Sequence, residues 1–197
     1  MKNSKISFLA AAVGTLLAAE GCSSSAKPAA SIVTAGAAVD RSVTAAEMVD
    51  HWSNLSALAA RRLIAEYDVP DEISSDRLVW NDKGPWRRII VRNAPPSAAE
   101  GKDLDIVEQA VDYSSLTPAQ AVNLAAFDDR LAFDPGSRRL SARSDREEYN
   151  ILRLNLADDV VHERLSPEKA KDSYFKILAL EESGKTSPDL LSLHLTP

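Results

Sequence analysis

The chain has 197 residues, 45 % of them hydrophobic and 26 % charged, with a formal net charge of −6 at pH 7. That composition is globular rather than disordered, and the acidic balance argues against a nucleic-acid binder. A single cysteine excludes an internal disulfide framework.

Lys2 and Lys5 form a short basic start, and Ile6–Ala19 is an apolar run too short for a spanning helix. Ala19-Glu20-Gly21 then leads into Cys22, the layout of a bacterial export signal over residues 1–21. Without those residues, 21 basic side chains face 28 acidic ones, a net charge of −7. Residues 22–43 show no apolar periodicity and read as a flexible tether. Residues 44–183 then form one domain, and residues 184–197 a C-terminal tail.

The end of the signal resembles a lipobox, with Ala19 and Glu20 at positions where bacterial lipoproteins favour Leu and a small residue. The resemblance implies cleavage before Cys22 and lipid attachment to it, so the expected location is the cell envelope. Ser23 resembles the sorting pattern for the outer membrane, periplasmic side. The alternative is ordinary cleavage after Ala26, which leaves a soluble periplasmic or secreted protein.

Capping chemistry marks four helix starts: Thr44 with Glu47, Thr117 with Gln120, Ser144 with Glu147, and Ser166 before Pro167. The first helix carries Met48, Trp52, Leu55, Ala59 and Leu63 on one stripe and stops near Tyr67. The third, from about Asp145 to Arg164, lines up Tyr149, Leu152, Leu156 and Val160, a stripe wide enough for a central helix. Between the helices, Arg77–Trp80 and Pro85–Arg92 flank Asn81-Asp82-Lys83-Gly84 as a hairpin. Pairing Trp80 with Pro85 puts Leu78, Trp80, Ile89 and Val91 on one face, and Val79, Trp86, Arg88, Ile90 and Arg92 on the other. A second hairpin joins Arg130–Asp134 to Ser137–Arg143 through Pro135-Gly136, and Leu104–Tyr113 reads as a strand in preference to a helix. The expected fold is α+β, a small antiparallel sheet of hairpins covered by three to four amphipathic helices.

The order helix, Tyr67-Asp68-Val69-Pro70, Trp80-bearing hairpin resembles the opening unit of BamE/SmpA-type outer-membrane lipoproteins over about 50 residues. The segment Leu78–Arg88, with Ser141–Asp145 and Asn155-Leu156-Ala157, is similar to an uncharacterised group of exported bacterial proteins. These resemblances imply a shared form and carry no catalytic residue.

Gly84, Gly101, Gly136 and Gly184 each stand alone, so no phosphate-cradling loop can be built, and no Gly-x-Ser-x-Gly motif occurs. No cofactor is implied. His162 follows Asp158 by one helical turn, a spacing that could present two metal ligands, but a solvated helix face explains it more simply. His51 reads as a partly buried helix residue. The carboxylate pairs Asp71-Glu72, Asp103-Asp105 and Asp128-Asp129 read as surface charges.

Charge distribution is more informative. Residues 77–92 hold five basic residues against Asp82, and residues 135–146 hold four against Asp145. Both hairpins are therefore basic within an acidic protein, which points to an anionic contact. Trp86, Arg87, Arg88, Arg92, Arg138 and Arg139 form the candidate binding surface, because Trp and Arg combine apolar area with directional hydrogen bonds. The competing expectation is architectural, with arginines paired to carboxylates and Trp86 packed under Leu104–Tyr113. The sequence thus supports a non-enzymatic, lipid-anchored module that binds an envelope protein or an anionic envelope component. The alternative is a periplasmic hydrolase or metal-assisted enzyme using Asp158 and His162.

Overall fold

The computed structural model describes residues 41–95 and 104–196. The signal segment, Cys22 and the tether as far as residue 40 lie outside them.

Two helices, α1 (Arg41–Val49) and α2 (Asn54–Tyr67), occupy the region where the sequence predicts one. Tertiary contacts make the break. The Trp52 indole donates to the Ser75 carbonyl at 3.0 Å, and the Ser53 N–H donates to Asn93 Oδ1 at 3.0 Å. Between them, His51 N–H and Trp52 N–H reach back three residues to Met48 and Val49. Thr44 lies inside α1, which begins at Arg41, and His51 is exposed in the turn. The buried stripe of α2 becomes Ser56, Ala57, Ala59, Ala60 and Leu63, leaving Leu55 48 % exposed.

Six strands follow: β1 (Glu72–Ile73), β2 (Arg77–Lys83), β3 (Trp86–Arg92), β4 (Val107–Asp112), β5 (Leu131–Asp134) and β6 (Arg139–Ser144). They form one antiparallel sheet in the order β1-β2-β3-β4-β6-β5. Within the first hairpin Trp80 pairs with Ile89 instead of Pro85, and Lys83 with Trp86, so the turn is Gly84-Pro85. Gly84 takes φ +57°, a left-handed conformation that glycine adopts without a Cβ penalty. The shift in pairing is even, so Leu78, Trp80, Ile89 and Val91 still share a face. The β5–β6 hairpin forms as the sequence predicts, but its turn takes in residues 135–138, so Ser137 and Arg138 belong to the turn and the return strand begins at Arg139.

The remaining helices are α3 (Pro118–Phe127), α4 (Glu147–Val161) and α5 (Pro167–Glu182), making five among the described residues. The fold is α+β. Thr117 and Gln120 complete the capping box of α3, and Ser166 Oγ accepts from the Lys169 N–H at the start of α5. Ser144 does not cap α4. Its N-cap is Arg146, and the Ser144 hydroxyl instead bonds the Arg146 backbone from the end of β6.

α2 and α4 pack on the sheet face that carries Leu78, Trp80, Ile89, Val91, Val107, Val111, Leu140 and Ala142. Burying each such side chain stabilises the fold by roughly 1.5–3 kcal/mol. α4 is central to a degree its stripe does not convey, since Asn150, Arg153, Asn155 and Asp158 are buried along with its aliphatic residues. The tail is docked on it. A short 3-10 helix, Pro188–Leu190, buries Leu190, and the His194 N–H donates to Asn155 Oδ1 at 2.7 Å.

Candidate functional site

The opposite face of the sheet carries no described helix. Register across the strands sets its rows: Asn81, Arg88, Ala110, Ser141 and Ala132 lie in one, and Val79, Ile90, Glu108 and Arg143 in the next. Val79, Ile90 and Ala110 are buried yet stand apart from the helix-covered core, forming an apolar floor between polar side chains. Stems of long arginines cover such a floor while their heads remain polar.

Most arginines here are paired. Arg92 meets Glu108 at 3.0 Å, and Arg87 bridges Asp112 at 2.6 Å and Asp82 at 3.2 Å. Those carboxylates raise the pKa of the Arg87 guanidinium. Arg143 donates to the Asp129 carbonyl at 3.3 Å and lies 4.0 Å from Asp105, which also holds Arg130 at 2.9 Å. These are half-exposed pairs of the kind worth little individually.

Arg88 and Arg139 differ. The Nε of each is buried without an acceptor, and neither meets a carboxylate at ion-pair distance among the described residues. Arg139 lies between Asp112 and Asp134 in the ladder, but Asp112 is taken by Arg87. Asp134 is held by its own turn, accepting from Gly136 N–H at 2.9 Å and Ser137 Oγ at 2.5 Å. Those bonds lower its pKa. Arg138 sits in the same turn with φ +54°, exposed and away from the rows.

Trp86 is not part of this surface. Its side chain is 1 % exposed, within the helix-covered core, and its indole N–H donates to Tyr67 Oη at 3.0 Å and Glu147 Oε1 at 3.2 Å. Strict alternation from Arg88 assigns it to the open face. Asp82, with φ +51°, interrupts the ladder between Asn81–Arg88 and Lys83–Trp86, and beyond it the ring enters the core. Glu147, which reads in sequence as a capping residue, is instead a half-buried acceptor that also takes a bond from Gln109 Nε2 at 2.7 Å. Burial and the hydrogen bond to Glu147 push the Tyr67 phenol well above its usual range.

The Asp158–His162 pair is divided: His162 is exposed, as a solvated helix face requires, whereas Asp158 is buried. Asp158 is 0 % exposed and accepts from Tyr113 Oη at 2.7 Å, from Thr196 N–H at 3.1 Å and from Thr196 Oγ1 at 3.0 Å. Arg164 adds a very short bond, and His162 Nδ1 lies 3.3 Å away. Burial pushes this carboxyl up, but the bonds from Tyr113, Arg164 and Thr196 outweigh it and hold the pKa below the ordinary value. Every one of those donors belongs to the protein, so the group ties β4, α4 and the tail together. Among the described residues no cluster of His, Cys, Asp and Glu has the makings of a metal site.

A cleft of about 320 Å³ lies between α2 and the start of α4, with Leu63, Val107, Ile151 and Leu190 as its apolar wall. Arg62, Glu66 and Glu148 rim it, and Arg146, whose guanidinium sits 4.6 Å from the Tyr149 ring centroid, covers one end. Tyr149 donates to Glu181 at 3.0 Å, and its phenol is pushed up to about 12 by burial and that bond. Nothing in this lining pairs a nucleophile with a base. None of the described helices is long and apolar enough to cross a membrane. Compared with protein-family models, curated proteins and solved structures, the chain matches none.

Proposed function

We propose that this is an exported bacterial envelope protein, lipid-anchored at Cys22, whose folded domain is a non-enzymatic module that binds an anionic partner through the open face of its sheet. The observation that carries the reading is Arg88: a guanidinium with a buried, unaccepted Nε on a face that no described helix covers, in a row of otherwise neutral residues. A buried donor left without an acceptor costs about 1–3 kcal/mol, a penalty that a bound anion removes. The basic hairpins within an acidic chain support the same conclusion.

The arginines Arg87, Arg92 and Arg139 lie on the same face as that position, with Arg138 apart in the β5–β6 turn and Trp86 withdrawn into the core as a support for the hairpin. The alternative hydrolase draws no support from Asp158 and His162, because protein donors already occupy the Asp158 carboxylate.

Two measurements test the reading. Mass spectrometry of the mature N-terminus is expected to find acyl chains on Cys22, lost in Cys22→Ala; an unmodified chain beginning after Ala26 defeats the anchor. A photo-crosslinking residue at position 88 in intact cells is expected to capture an anionic component that Arg143→Glu suppresses; no adduct, or one insensitive to charge, defeats the binding face.

A further inference from the structure

We infer that the anion recognised by this face is the phosphate of phospholipid headgroups, so that the open sheet lies flat against the anionic bilayer that holds the anchor; this rests on the lipid-anchored reading above. Three observations converge on it.

The first is where uncompensated charge sits. Arg88 lies on β3 near the middle of the sheet, with Arg77 on β2 and Arg139 on β6 on the same face, and none of these three meets a carboxylate at ion-pair distance among the described residues. Glu108 and Asp112, the carboxylates of the central strand on this face, are already paired to Arg92 and Arg87. Glu72 lies at the β1 edge, opposite Val79. A guanidinium is planar and weakly hydrated, and its fork matches phosphate oxygens. The floor beneath is apolar, formed by Val79, Ile90 and Ala110.

The second is charge separation. With the two hairpins basic, the rest of the mature chain carries the acidic excess. The helices stand a packing layer behind the open face, farther than the Debye length of about 8 Å at physiological salt. Their acidic side chains therefore repel an anionic surface little when this face is turned toward it. Each unpaired arginine near such a surface raises binding about fivefold.

The third is reach. Eighteen residues separate Cys22 from Arg41. A chain of that length and composition spans about 25 Å, which holds the domain within contact of the bilayer at an effective concentration in the millimolar range. Weak, distributed contacts then suffice, and an extended interface is unnecessary.

The test uses the lipidated full chain reconstituted in vesicles. Cys22 is the only cysteine, and acylation blocks it, so Asn81→Cys and Val122→Cys introduce single labelling sites. Position 81 lies in the Arg88 row; Val122, 67 % exposed, lies on α3 behind the sheet. With a headgroup-attached quencher, the label at 81 is expected to lose at least half its fluorescence in phosphatidylglycerol vesicles and little in phosphatidylcholine, while the label at 122 changes in neither. Arg88→Gln with Arg139→Gln, or 0.5 M salt, is expected to restore the signal at 81. Addition of 10 mM inorganic phosphate is expected to leave it quenched, since a free anion lacks the surface; release by phosphate overturns the bilayer as ligand. Equal quenching at 81 and 122, or quenching independent of lipid charge, also overturns the inference. If position 81 is unquenched but position 88 crosslinks an acidic protein in cells, the membrane ligand falls and the anion-binding function stands. A chain that fails to incorporate into either vesicle removes the anchor itself.

Discussion

The two faces of the sheet spend their polar groups in opposite ways. On the covered side the carboxylates of Glu147 and Asp158 are filled by specific donors, Glu147 by Tyr67, Trp86 and Gln109 and Asp158 by Tyr113, Arg164 and Thr196, although Asn150 Oδ1 is buried there without a partner. On the other face Arg88 meets no carboxylate at ion-pair distance among the described residues and keeps an unaccepted Nε. Away from water a carboxylate is costly unless donors fill it, while an arginine at the edge of solvent can leave a donor for something outside the chain. The contrast separates polar groups that hold the fold from polar groups free to bind.

Substitutions on the two faces should therefore act on different observables. The largest expected loss of stability is Trp86→Ala, about 3–5 kcal/mol by urea unfolding, because it opens a cavity and strips Tyr67 and Glu147 of a partner. A loss below about 1 kcal/mol would break the assignment of this ring to the core. Asp158→Asn is expected to cost about 3 kcal/mol at pH 7, since it weakens a buried acceptor shared by β4, α4 and the tail. The sign of its pH dependence follows from the lowered pKa of Asp158. The native state favours the charged form, so the stabilisation is present above the unfolded value of about 3.9 and is lost as pH falls through the lower folded value. The gap between wild type and Asp158→Asn should be constant from pH 7 to about pH 5 and close below about pH 4; a gap that widens on acidification refutes the network. Smallest of all, Arg88→Gln should raise the stability of the free protein by about 1 kcal/mol in the same urea titration, because it removes a buried donor that has no acceptor. A large loss there would make the open face structural after all.

How far these features were legible follows from the range of the interactions. The capping box of Thr117 and Gln120, the Ser166-Pro167 start and the existence of both hairpins rest on residues within a few positions of one another, and the structure reproduces them, with the turns moved to Gly84-Pro85 and to residues 135–138. Ser144 misled because a cap motif was satisfied by a competing bond, its hydroxyl meeting the Arg146 backbone at the end of β6. Helix pattern likewise ran straight through Trp52, since nothing local announces that its indole belongs to Ser75. The basic character of the hairpins was plain from composition, but which arginines lack a counter-ion depends on cross-strand neighbours.

The sequence by itself determined the α+β class, the starts of α3 and α5 and the basic composition of the two hairpins, all of which are written in periodicity, caps and local composition. Only the tertiary structure decided the break between α1 and α2, the side of the sheet for Trp86, the partners of Glu147, the burial of Asp158 and the isolation of Arg88. Each of those depends on groups 40 or more positions away in sequence or on strands brought together by pairing, and no local pattern encodes a partner that distant.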